Sequence, residues 1–587
     1  VGALTYGGET ADSWLELLPP APISVAEPFD SVDLWIWGDN WGWVPGAAAR
    51  VRVAARFEDG DGQVFEADLG VVDYVYWFLA HTRLVPPTQR VGEVYRFPAR
   101  FTGLIVRGCS NAQPSTIYFD SLSVYREPLP PLPEPKVSGP LGFPTRAETI
   151  LPTNHSPCVN RVEQVEGGWR LVYEGQDCRI TYYYRPKEGD LSDVWASVDE
   201  GPEFQPLAGG GPIYDFEEKG RAQRTYIGGR SDPERVVAGW RVIGEGQNWD
   251  EWSVELRIWQ KSLVLNLRER RGHVAQVSFG RLRGVANCKI VSVPYLTLGD
   301  KGPYIVCTDR WFLSGLIDWY NSDASELFAR GGIHSNGECS FNGGANYHPL
   351  TDGRRNPMRE TIFLTISPRF EEVLPNIPNP RSDRIEEAKH ALWRNIGFMD
   401  LPMLKRYKAY GVDGFMVNHH EVIWRDAGES FTQRLESAPK NVGDERLKEY
   451  SQAVKALGYR FGLYTNYCDF APVNKHWDPD RVVRWSDGDW VRAWPRTYLY
   501  KPCYAAEAEA YFAPAIHQKF GTNAGYCDVH TARTPWSATD YDARTPAAGK
   551  FRTAFENYGR LLLNESLAHD GPVFSEGRMH WMYAGLV

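Results

Sequence analysis

The sequence predicts a multidomain protein in which two β-rich domains precede a barrel of the (β/α)8 type. The chain has 587 residues, more than one hydrophobic core supports, so several domains are expected. Up to about residue 370, short alternating apolar runs are separated by Gly, Asp and Pro, with hardly any helical periodicity. After Arg381, helical stretches alternate with short apolar runs, and this alternation is typical of a parallel sheet.

The first domain, residues 1–127, is predicted to be a β-sandwich of the jelly-roll kind. Its runs alternate apolar and polar positions, as in the segments that begin at Ser31 and at Thr116. With its closing strand at residues 118–122, the strand pattern resembles the galactose-binding-like domains that accompany many carbohydrate enzymes. The acidic, glycine-rich segment after Glu58 is interpreted as a hairpin turn, with a calcium loop as the alternative.

A proline-rich linker, residues 128–144, separates this domain from the second one. Its prolines exclude a helix and a central strand and favour a stiff, extended spacer. Residues 145–375 continue with strand signals, such as the runs that begin at Cys178, Trp252 and Thr361. Their number and length predict a large β-sandwich of two sheets.

Residues 376–587 are predicted to form a catalytic (β/α) barrel. Apolar runs begin at Gly414, Arg460, Gly525 and Pro572. The helical stretches around them cover 382–393, 401–410, 444–457, 505–520 and 550–569. About five strands precede Val587, so a barrel of eight is incomplete at the C-terminus. Either further chain follows, another chain closes the barrel, or the sheet is open.

Composition and motifs weigh against three kinds of partner. The formal net charge is −10 and the sequence has no long basic run, so the chain lacks the positively charged surface that a nucleic-acid-binding protein needs. No apolar run approaches the roughly 20 residues that cross a bilayer. No glycine-rich phosphate loop opens a helix, which weighs against nucleotide binding. The 22 Trp and 30 Tyr residues suit either platforms for sugar rings or β-sandwich cores.

The cysteines and the first residue bear on the compartment. Nine cysteines without a CxxC pair indicate neither a disulfide framework nor a zinc ribbon. A chain that begins with Val1 fits removal of a secretory signal, and fits a trimmed chain equally. We therefore expect a secreted, periplasmic or cell-surface protein. The oligomeric state is open, and an oligomer is compatible with the sequence.

Two of the apolar runs end in a carboxylate, Asp528 after residues 525–527 and Glu576 after residues 572–575. In a parallel barrel the carboxyl ends of all strands open on one face, so the two carboxylates would lie across one pocket. Hydrolysis of a glycoside needs such a pair. One carboxylate attacks the anomeric carbon, and the other arrives protonated to assist the leaving oxygen. Asp528 and Glu576 are therefore predicted to be catalytic.

Polar clusters follow four successive candidate strands and supply candidate substrate-binding residues. His530, two residues after Asp528, would face the same side of an extended segment, with a structural role as the alternative. Lys501 ends a half-buried run and would donate to a sugar hydroxyl. The complete set of candidates is His420, Asn466, Asp469, Lys501, Tyr526, His530, Arg578, His580 and Trp581.

A metal site at His419 and His420 is not favoured. Adjacent residues of a strand point to opposite faces, so at most one of the two faces the pocket. The HExxH pattern of zinc hydrolases is absent. No metal or cofactor is predicted to be required, and a structural calcium ion bound by Asp and Glu oxygens is the alternative.

The segments 462–467, 526–529 and 574–577, in this order, resemble the retaining α-N-acetylgalactosaminidases of glycoside hydrolase families 101 and 129. The resemblance covers residues 145–587. It implies a large β-sandwich before the barrel, Asp528 as the nucleophile and Glu576 as the acid/base. The implied activity is retaining hydrolysis of α-linked glycans of the galactose or N-acetylgalactosamine type. Barrels of the α-galactosidase kind also end a strand in a nucleophilic Asp, so the identity of the sugar stays open.

Two other interpretations remain. One is a non-catalytic carbohydrate-binding or cell-surface assembly protein on a degenerate barrel, which the two β-rich domains and the short barrel suggest. The other is an inverting glycosidase, for which the carboxyl groups would lie about 6.5–9.5 Å apart rather than about 5–5.5 Å. In each case a glycan or glycoconjugate is the expected partner.

Overall fold

The computed structural model describes residues 1–8, 10, 12–39, 50–110, 114–137, 149–217, 222–244, 248–293, 296–298, 302–376, 381–420, 432–438, 442–583 and 586. Strands and helices are numbered below in chain order. About half of the described residues before residue 376 are in strands, and nearly all helix follows. This division of the chain agrees with the predicted β-rich, multidomain organisation.

The first part of the chain forms two antiparallel sheets. Its elements are β1 (Gly2–Tyr6), β2 (Trp14–Leu17), β3 (Ile23–Val25), β4 (Ser31–Asp39), β5 (Val51–Glu58), β6 (Val64–Val72), β7 (Val75–Arg83), α1 (Val91–Val94), β8 (Ala99–Arg107) and β9 (Ser115–Tyr125). The strand orders are β1-β9-β4-β7 and β2-β8-β5-β6, with β3 paired to β8. In β4, Val32, Leu34 and Ile36 are buried, the period of two expected when one face of a sheet packs on a core.

The second part is also antiparallel and is built around one large sheet. Its strands are β10 (Cys158–Val165), β11 (Gly168–Gly175), β12 (Arg179–Tyr184), β13 (Val194–Val198), β14 (Gln205–Ala208), β15 (Gly211–Tyr214), β16 (Gln223–Ser231), β17 (Arg235–Ile243), β18 (Trp249–Trp259), β19 (Ser262–Glu269), β20 (Val274–Ser278), β21 (Arg281–Arg283), β22 (Lys289–Ser292), β23 (Tyr304–Cys307), β24 (Phe312–Ile317), β25 (Glu326–Phe328), β26 (Gly332–Ile333), β27 (Cys339–Ser340), β28 (Gly344–Asn346) and β29 (Arg359–Ser367). The eight-stranded sheet has the order β16-β17-β18-β19-β29-β24-β23-β22. Three four-stranded sheets accompany it, ordered β10-β11-β12-β13, β14-β21-β27-β26 and β15-β20-β28-β25.

The third part alternates strand and helix. Its elements are α2 (Ile385–Lys389), β30 (Leu392–Ile396), α3 (Leu401–Ala409), β31 (Phe415–His419), α4 (Asp444–Ala456), β32 (Arg460–Thr465), β33 (Asp469–Phe470), β34 (Tyr498–Leu499), α5 (Pro502–Phe520), β35 (Ala524–Cys527), α6 (Phe551–His569) and β36 (Val573–Ser575). Five strands form one parallel sheet in the order β30-β31-β32-β35-β36. The pair β33–β34 is a separate antiparallel ribbon inserted after β32.

Two predictions about this third part need correction. The helix predicted over 382–393 is wrong beyond Lys389, because Leu392 begins the first parallel strand and pairs with Phe415 of β31. β30 is an edge strand with exposed apolar side chains, and so short a run shows no periodicity that distinguishes it from a helix. Among the described residues the sheet ends at β30 and β36, so a closed barrel of eight strands is not shown.

A buried ionic group, the Glu127 cluster (Arg83, Glu127, Arg484 and Trp490), joins the first part of the chain to the third. Glu127 Oε2 accepts hydrogen bonds from Arg83 Nη1 at 2.7 Å and Arg484 Nη1 at 3.0 Å, and Oε1 accepts from Arg484 Nη2 at 2.7 Å. Trp490 Nε1 donates to Oε1 at 3.1 Å. The three charged side chains are at most 5% exposed, so separating the two parts would uncover an unpaired buried charge.

The helices bear on membrane insertion, and the cysteines bear on disulfide bonding. None of the helices within the described ranges is long and apolar enough to span a bilayer. All nine cysteines are free thiols, and seven of them are buried. Cys158 is exposed and Cys178 is buried, and the two are not bonded to each other.

Candidate functional site

Three polar residues form a row at the carboxyl end of the parallel sheet. Cys527 of β35 pairs with Thr465 of β32 on one side and with Ser575 of β36 on the other. The residues that follow these three strands are Asn466, Asp528 and Glu576. Since neighbouring strands lie about 4.7–4.9 Å apart, the register places the three side chains next to one another. The structure thus brings the two predicted catalytic carboxylates together.

Two tyrosine hydroxyls hold the carboxylate of Asp528. Tyr526 donates its hydroxyl to Oδ1 at 2.7 Å, and Tyr464 donates to Oδ2 at 3.1 Å. Asn466 Nδ2 in turn donates to the Tyr464 hydroxyl at 3.0 Å. Both oxygens of Asp528 are therefore fixed in direction, while the side chain stays half-buried and open to the site.

A second acid, Asp469, lies deeper in the site. Asn466 Nδ2 donates to its Oδ2 at 2.9 Å and the Trp494 backbone N–H donates to its Oδ1 at 3.3 Å. Burial raises the pKa of Asp469 to about 6, and the charge of Asp528 adds to the increase, against these hydrogen bonds and the charge of Arg533. Asp469 is 4% exposed, so its carboxylate is suited to a fixed hydrogen bond rather than to solvent.

Glu576 differs from the two aspartates in exposure and in electrostatics. Its side chain is exposed at the edge of the site. Partial desolvation raises its pKa, and the negative charges of Asp528 and Asp469 raise it further. Like charges in one site favour the protonated form, so Glu576 keeps its proton to a higher pH than an isolated glutamate does. This arrangement separates a fixed carboxylate from a proton donor.

The chain turns sharply after Asp528. Val529 has φ 72°, in the left-handed region that β-branched residues avoid, and the His530 N–H donates to the Asp528 carbonyl at 2.9 Å. This i to i+2 bond around a residue of positive φ makes a γ-turn, a strained conformation that persists only where its surroundings hold it. The turn directs the chain into the core and leaves Asp528 at the end of the strand.

His530 anchors that turn. The ring is 2% exposed, its Nε2 accepts the Tyr467 backbone N–H at 3.3 Å, and its Nδ1 lies 3.3 Å from Cys468 Sγ. Burial lowers the pKa of His530 to about 3, so the ring is neutral near pH 7. The structure places this predicted substrate-binding residue inside the core, where both nitrogens have protein partners, which favours the structural alternative.

Aromatic side chains form a wall beside Asp528. Trp393 of β30, 38% exposed, lies with its ring centroid 5.5 Å from that of Tyr526 and 5.2 Å from that of Phe574. The His420 ring lies 5.2 Å from the Tyr464 ring. Sequence reasoning included His420 and Tyr526 but missed Trp393, because it assigned residue 393 to a helix. A single Trp in a short apolar run carries no signal of its own that would have found it.

Lys501 lies away from this wall. Its ammonium group is fully buried and pairs with Asp542 at 2.6 Å and Asp540 at 3.0 Å, and it donates to Thr545 Oγ1 at 2.9 Å. A buried lysine needs such partners, and here they come from the segment before α6 rather than from a ligand. Lys501 directly precedes α5, and its side chain makes no capping hydrogen bond to that helix.

The candidate residues after Glu576 differ in their exposure to solvent. Arg578 is exposed. Trp581 is 2% exposed and its ring packs at 78° against Trp319 of the second part, with centroids 4.8 Å apart, so it joins two parts of the protein. The side chain of His580 lies outside the described part of the structure. Of this predicted group, Arg578 is the one that the structure leaves at the surface beside Glu576.

Within the ranges that the structure describes, no three His, Cys, Asp or Glu side chains are grouped so that they could hold a metal ion. His419 is buried, and its ring packs against those of Tyr450 and Phe461 with centroids 5.0 and 5.3 Å away. In the turn after β5, both oxygens of Asp59 accept backbone N–H groups. That turn is the predicted hairpin, since β5 and β6 pair on either side of it.

Two large clefts lie elsewhere on the surface. One, of about 610 Å³, is lined by residues such as His476, Arg481 and Tyr511, and the other, of about 620 Å³, surrounds Trp249. Neither is lined by Asp528 or Glu576. The second cleft also holds a pair of acids, Asp250 and Glu269, in which burial and the neighbouring Glu269 raise the pKa of Asp250 to about 7. The sheet end is the candidate site because Asp528 and Glu576 there follow two strands of the parallel sheet that pair directly.

The chain is thus a multidomain β-rich protein whose last part is a parallel α/β sheet with an acidic site at its carboxyl end. No family model matches it, and no curated protein matches it. Among solved structures, α-N-acetylgalactosaminidase NagBb from Bifidobacterium bifidum in complex with Gal-NHAc-DNJ is similar with a TM-score of 0.51 and 13% identity, over 69% of this chain and 76% of that one. The α-galactosidase from Lactobacillus brevis gives a TM-score of 0.39 and 9% identity, over 71% and 72%. The first likeness shows a shared fold, and membership of families 101 and 129 stays a prediction.

Proposed function

We propose that this protein is a retaining α-glycoside hydrolase that acts on glycans of the galactose or N-acetylgalactosamine type, with Asp528 as the nucleophile and Glu576 as the acid/base. The observation that carries the proposal is the pairing of a tyrosine-held Asp528 with a proton-retaining Glu576 at the ends of adjacent strands. The shared fold of α-N-acetylgalactosaminidase NagBb supports the choice of sugar.

Strand geometry supports retention over inversion. Adjacent strands are about 4.7–4.9 Å apart, close to the roughly 5–5.5 Å between carboxyl groups that direct attack on the sugar requires. An inverting site would need about 6.5–9.5 Å to hold a water molecule between carboxylate and sugar. Asp528 and Glu576 follow residues that pair directly, Cys527 with Ser575. Asp528 and Glu576 therefore start from neighbouring strands, as the shorter separation requires.

In the first step, an oxygen of Asp528 attacks the anomeric carbon while the bond to the leaving oxygen breaks. Glu576 transfers its proton to that oxygen, so the aglycone leaves as a neutral alcohol and a glycosyl ester of Asp528 remains. The two tyrosine hydroxyls keep the attacking carboxylate in one orientation, which reduces the entropy lost on reaching the transition state.

In the second step, the Glu576 carboxylate takes a proton from water as the water oxygen attacks the anomeric carbon. The ester bond breaks, Asp528 is released as a carboxylate, and the sugar leaves with its original configuration. Asp469 and Asn466 are buried and hydrogen-bonded to each other beneath Asp528, while Trp393 offers an exposed apolar face to the sugar. Neither step requires a cofactor.

The test is hydrolysis of α- and β-linked aryl glycosides of several sugars, with the anomer of the first product followed by NMR. We expect the wild type to release an α-sugar from an α-galactoside or α-N-acetylgalactosaminide, and Asp528→Asn to fall to background while still binding the sugar. Asp413→Asn, at a side chain that is 79% exposed, is the matched control and should keep full activity. Activity retained in Asp528→Asn, or a β-sugar as the first product, would refute the proposal. Sugar binding without hydrolysis by the wild type would favour the non-catalytic alternative.

A further inference from the structure

The first β-sandwich contacts the ribbon insertion that carries Asp469. Arg492, before β34, donates to the carbonyl of Val71 at 3.2 Å and pairs with Asp73 at 3.5 Å. Its guanidinium also lies 5.0 Å from the ring centroid of Phe78. Val71 lies near the end of β6 and Asp73 in the connection between β6 and β7, so this connection between the two sheets of the first part reaches the loop that leads into β34.

Strand β34 is seated on β7. The Tyr498 hydroxyl accepts the His81 backbone N–H at 3.0 Å and donates to the Leu79 carbonyl at 2.9 Å, and the Tyr498 and Phe78 rings stack with centroids 5.0 Å apart. Next to Tyr498, Leu499 pairs with Asp469 across the ribbon. The acid in the candidate site is therefore one strand away from the first β-sandwich.

Two residues with unusual backbone conformations meet at this contact. Tyr76 has φ 73° and Arg496 has φ 60°, both in the region that side chains other than glycine rarely adopt. The Arg496 guanidinium lies 5.4 Å from the Tyr76 ring centroid, within the range of a cation–π contact, and the arginine is only 4% exposed. Such strain persists where packing holds it, so both turns are fixed by their surroundings.

Trp494 lies at the tip of the same loop. The Thr497 N–H donates to the Trp494 carbonyl at 2.9 Å and the Thr497 hydroxyl donates to it at 2.7 Å, which closes a tight turn. The Trp494 N–H donates to Asp469 Oδ1 at 3.3 Å. Its indole side chain is 41% exposed. A large, exposed aromatic side chain thus stands one hydrogen bond away from a buried carboxylate of the site.

We propose that the first β-sandwich is a working part of the candidate site: Tyr76 and Arg496 are positioning residues that hold Trp494 beside Asp469, and the Trp494 indole is a stacking surface for a sugar ring of the substrate. An exposed indole at the rim of an acidic site suits a pyranose, whose C–H face packs on the ring. The choice of sugar rests on the proposed function. The dependence of binding on the first β-sandwich does not.

The experiment measures binding of methyl α-galactoside and methyl α-N-acetylgalactosaminide by calorimetry, in the Asp528→Asn background so that the probe is not consumed. We expect Trp494→Ala to raise Kd about tenfold, the equivalent of a lost aromatic stacking contact. Tyr76→Ala should raise Kd by about 3- to 10-fold, and Tyr76→Phe should restore binding because it keeps the ring. Trp485→Ala, at another exposed tryptophan of the same insertion, is the matched control and should leave Kd unchanged.

The double variant separates positioning from general loss of structure. If Tyr76 acts through Trp494, adding Tyr76→Ala to Trp494→Ala should cause little further loss, because coupled residues are not additive. In the active protein the same single substitutions should raise KM while kcat stays within about threefold. If the substitutions impair kcat and KM equally, and the effects of Tyr76→Ala and Trp494→Ala add in the double variant, the cause is unfolding and the positioning role is overturned.

The remaining outcomes distinguish this inference from the proposed function. Hydrolysis as proposed, with Kd and KM within about twofold of the parent in Trp494→Ala and Tyr76→Ala, would overturn the inference alone. Binding that depends on both residues, in a wild type that hydrolyses no glycoside, would refute the proposed function and support the inference. A wild type that neither binds nor hydrolyses these sugars would overturn both.

Discussion

Replacing Glu127 with alanine should destabilise the protein far more than removal of an ordinary surface carboxylate. The substitution deletes the acceptor of two hydrogen bonds from Arg484, one from Arg83 and one from the Trp490 indole. Both arginines would remain buried, so their positive charges would lack the partner that compensates for lost hydration. The effect follows from burial and not from the number of contacts.

The expected cost is about 3–5 kcal/mol, the range for breaking a buried ion pair by removing one partner. Summing four hydrogen bonds would give more, but some compensation remains. Arg83 keeps Asp30 at 2.9 Å, and Arg484 keeps the Gly488 carbonyl at 3.0 Å. At 1.4 kcal/mol for each factor of ten, the folded-to-unfolded ratio falls by about 100- to 4000-fold.

The assay is urea unfolding followed by tryptophan fluorescence, with the first transition analysed. For a slope of about 1–3 kcal/mol per molar urea, the midpoint of that transition should fall by about 1 M or more. The control is Glu174→Ala, which removes a pair with Arg161 whose side chains are 48% and 39% exposed, and which should cost at most about 1 kcal/mol. If Glu127→Ala behaves like this control, the reasoning about buried charge is refuted.

The same acid gives stability a pH dependence. Burial raises the pKa of Glu127, but the hydrogen bonds and charge of Arg484, with the charges of His81 and Arg83, outweigh it and hold the pKa below its ordinary value. A lowered folded pKa means that the stabilisation is present above the unfolded value of about 4.3 and is lost as pH falls through the folded pKa. The difference between wild type and Glu127→Ala should therefore shrink in acid, and a constant difference down to pH 2 would contradict this.

Two further predictions concern the site. Burial raises the pKa of Glu576, and the charges of Asp528 and Asp469 raise it further. Asp469→Asn should therefore move the basic limb of the pH profile of kcat/KM to lower pH by up to about one unit. If that limb does not move, the two acids are not coupled. At Val529, where φ is 72°, the glycine variant should be more stable than the alanine variant by about 1 kcal/mol in urea unfolding, since alanine keeps the strain of a side chain in that region. The reverse order would show that the turn after Asp528 relaxes.

Residues that end a strand were the most predictable part of the site. Asp528 and Glu576 close short apolar runs, and parallel pairing alone places such residues on one edge of the sheet. The helices from 401 onwards also carried clear signals, with boundaries correct within a few residues. In contrast, β30 was missed because Leu392 and Trp393 follow a helix directly and lie exposed at an edge, where neither length nor period separates strand from helix.

Tertiary contacts decided the rest. Lys501 looked available to a ligand, but its partners Asp540 and Asp542 come from a segment about 40 residues later, which no local pattern announces. His530 was expected to share the side of Asp528, but the strained turn at Val529 breaks the alternation that the expectation assumed. The place of Trp494 beside Asp469 likewise depends on a loop that packs on another domain.

The Glu127 cluster also has a consequence for biosynthesis. Glu127 and Arg484 are separated by 357 positions in the chain. At about 5–20 residues per second, the ribosome needs roughly 20–70 s to deliver the second arginine after the glutamate has been made. Arg83 is already present by then, so Glu127 has one partner while it waits. The first β-sandwich can fold early with Glu127 paired to Arg83, and it can complete this contact with the last part of the chain only after Arg484 has been made.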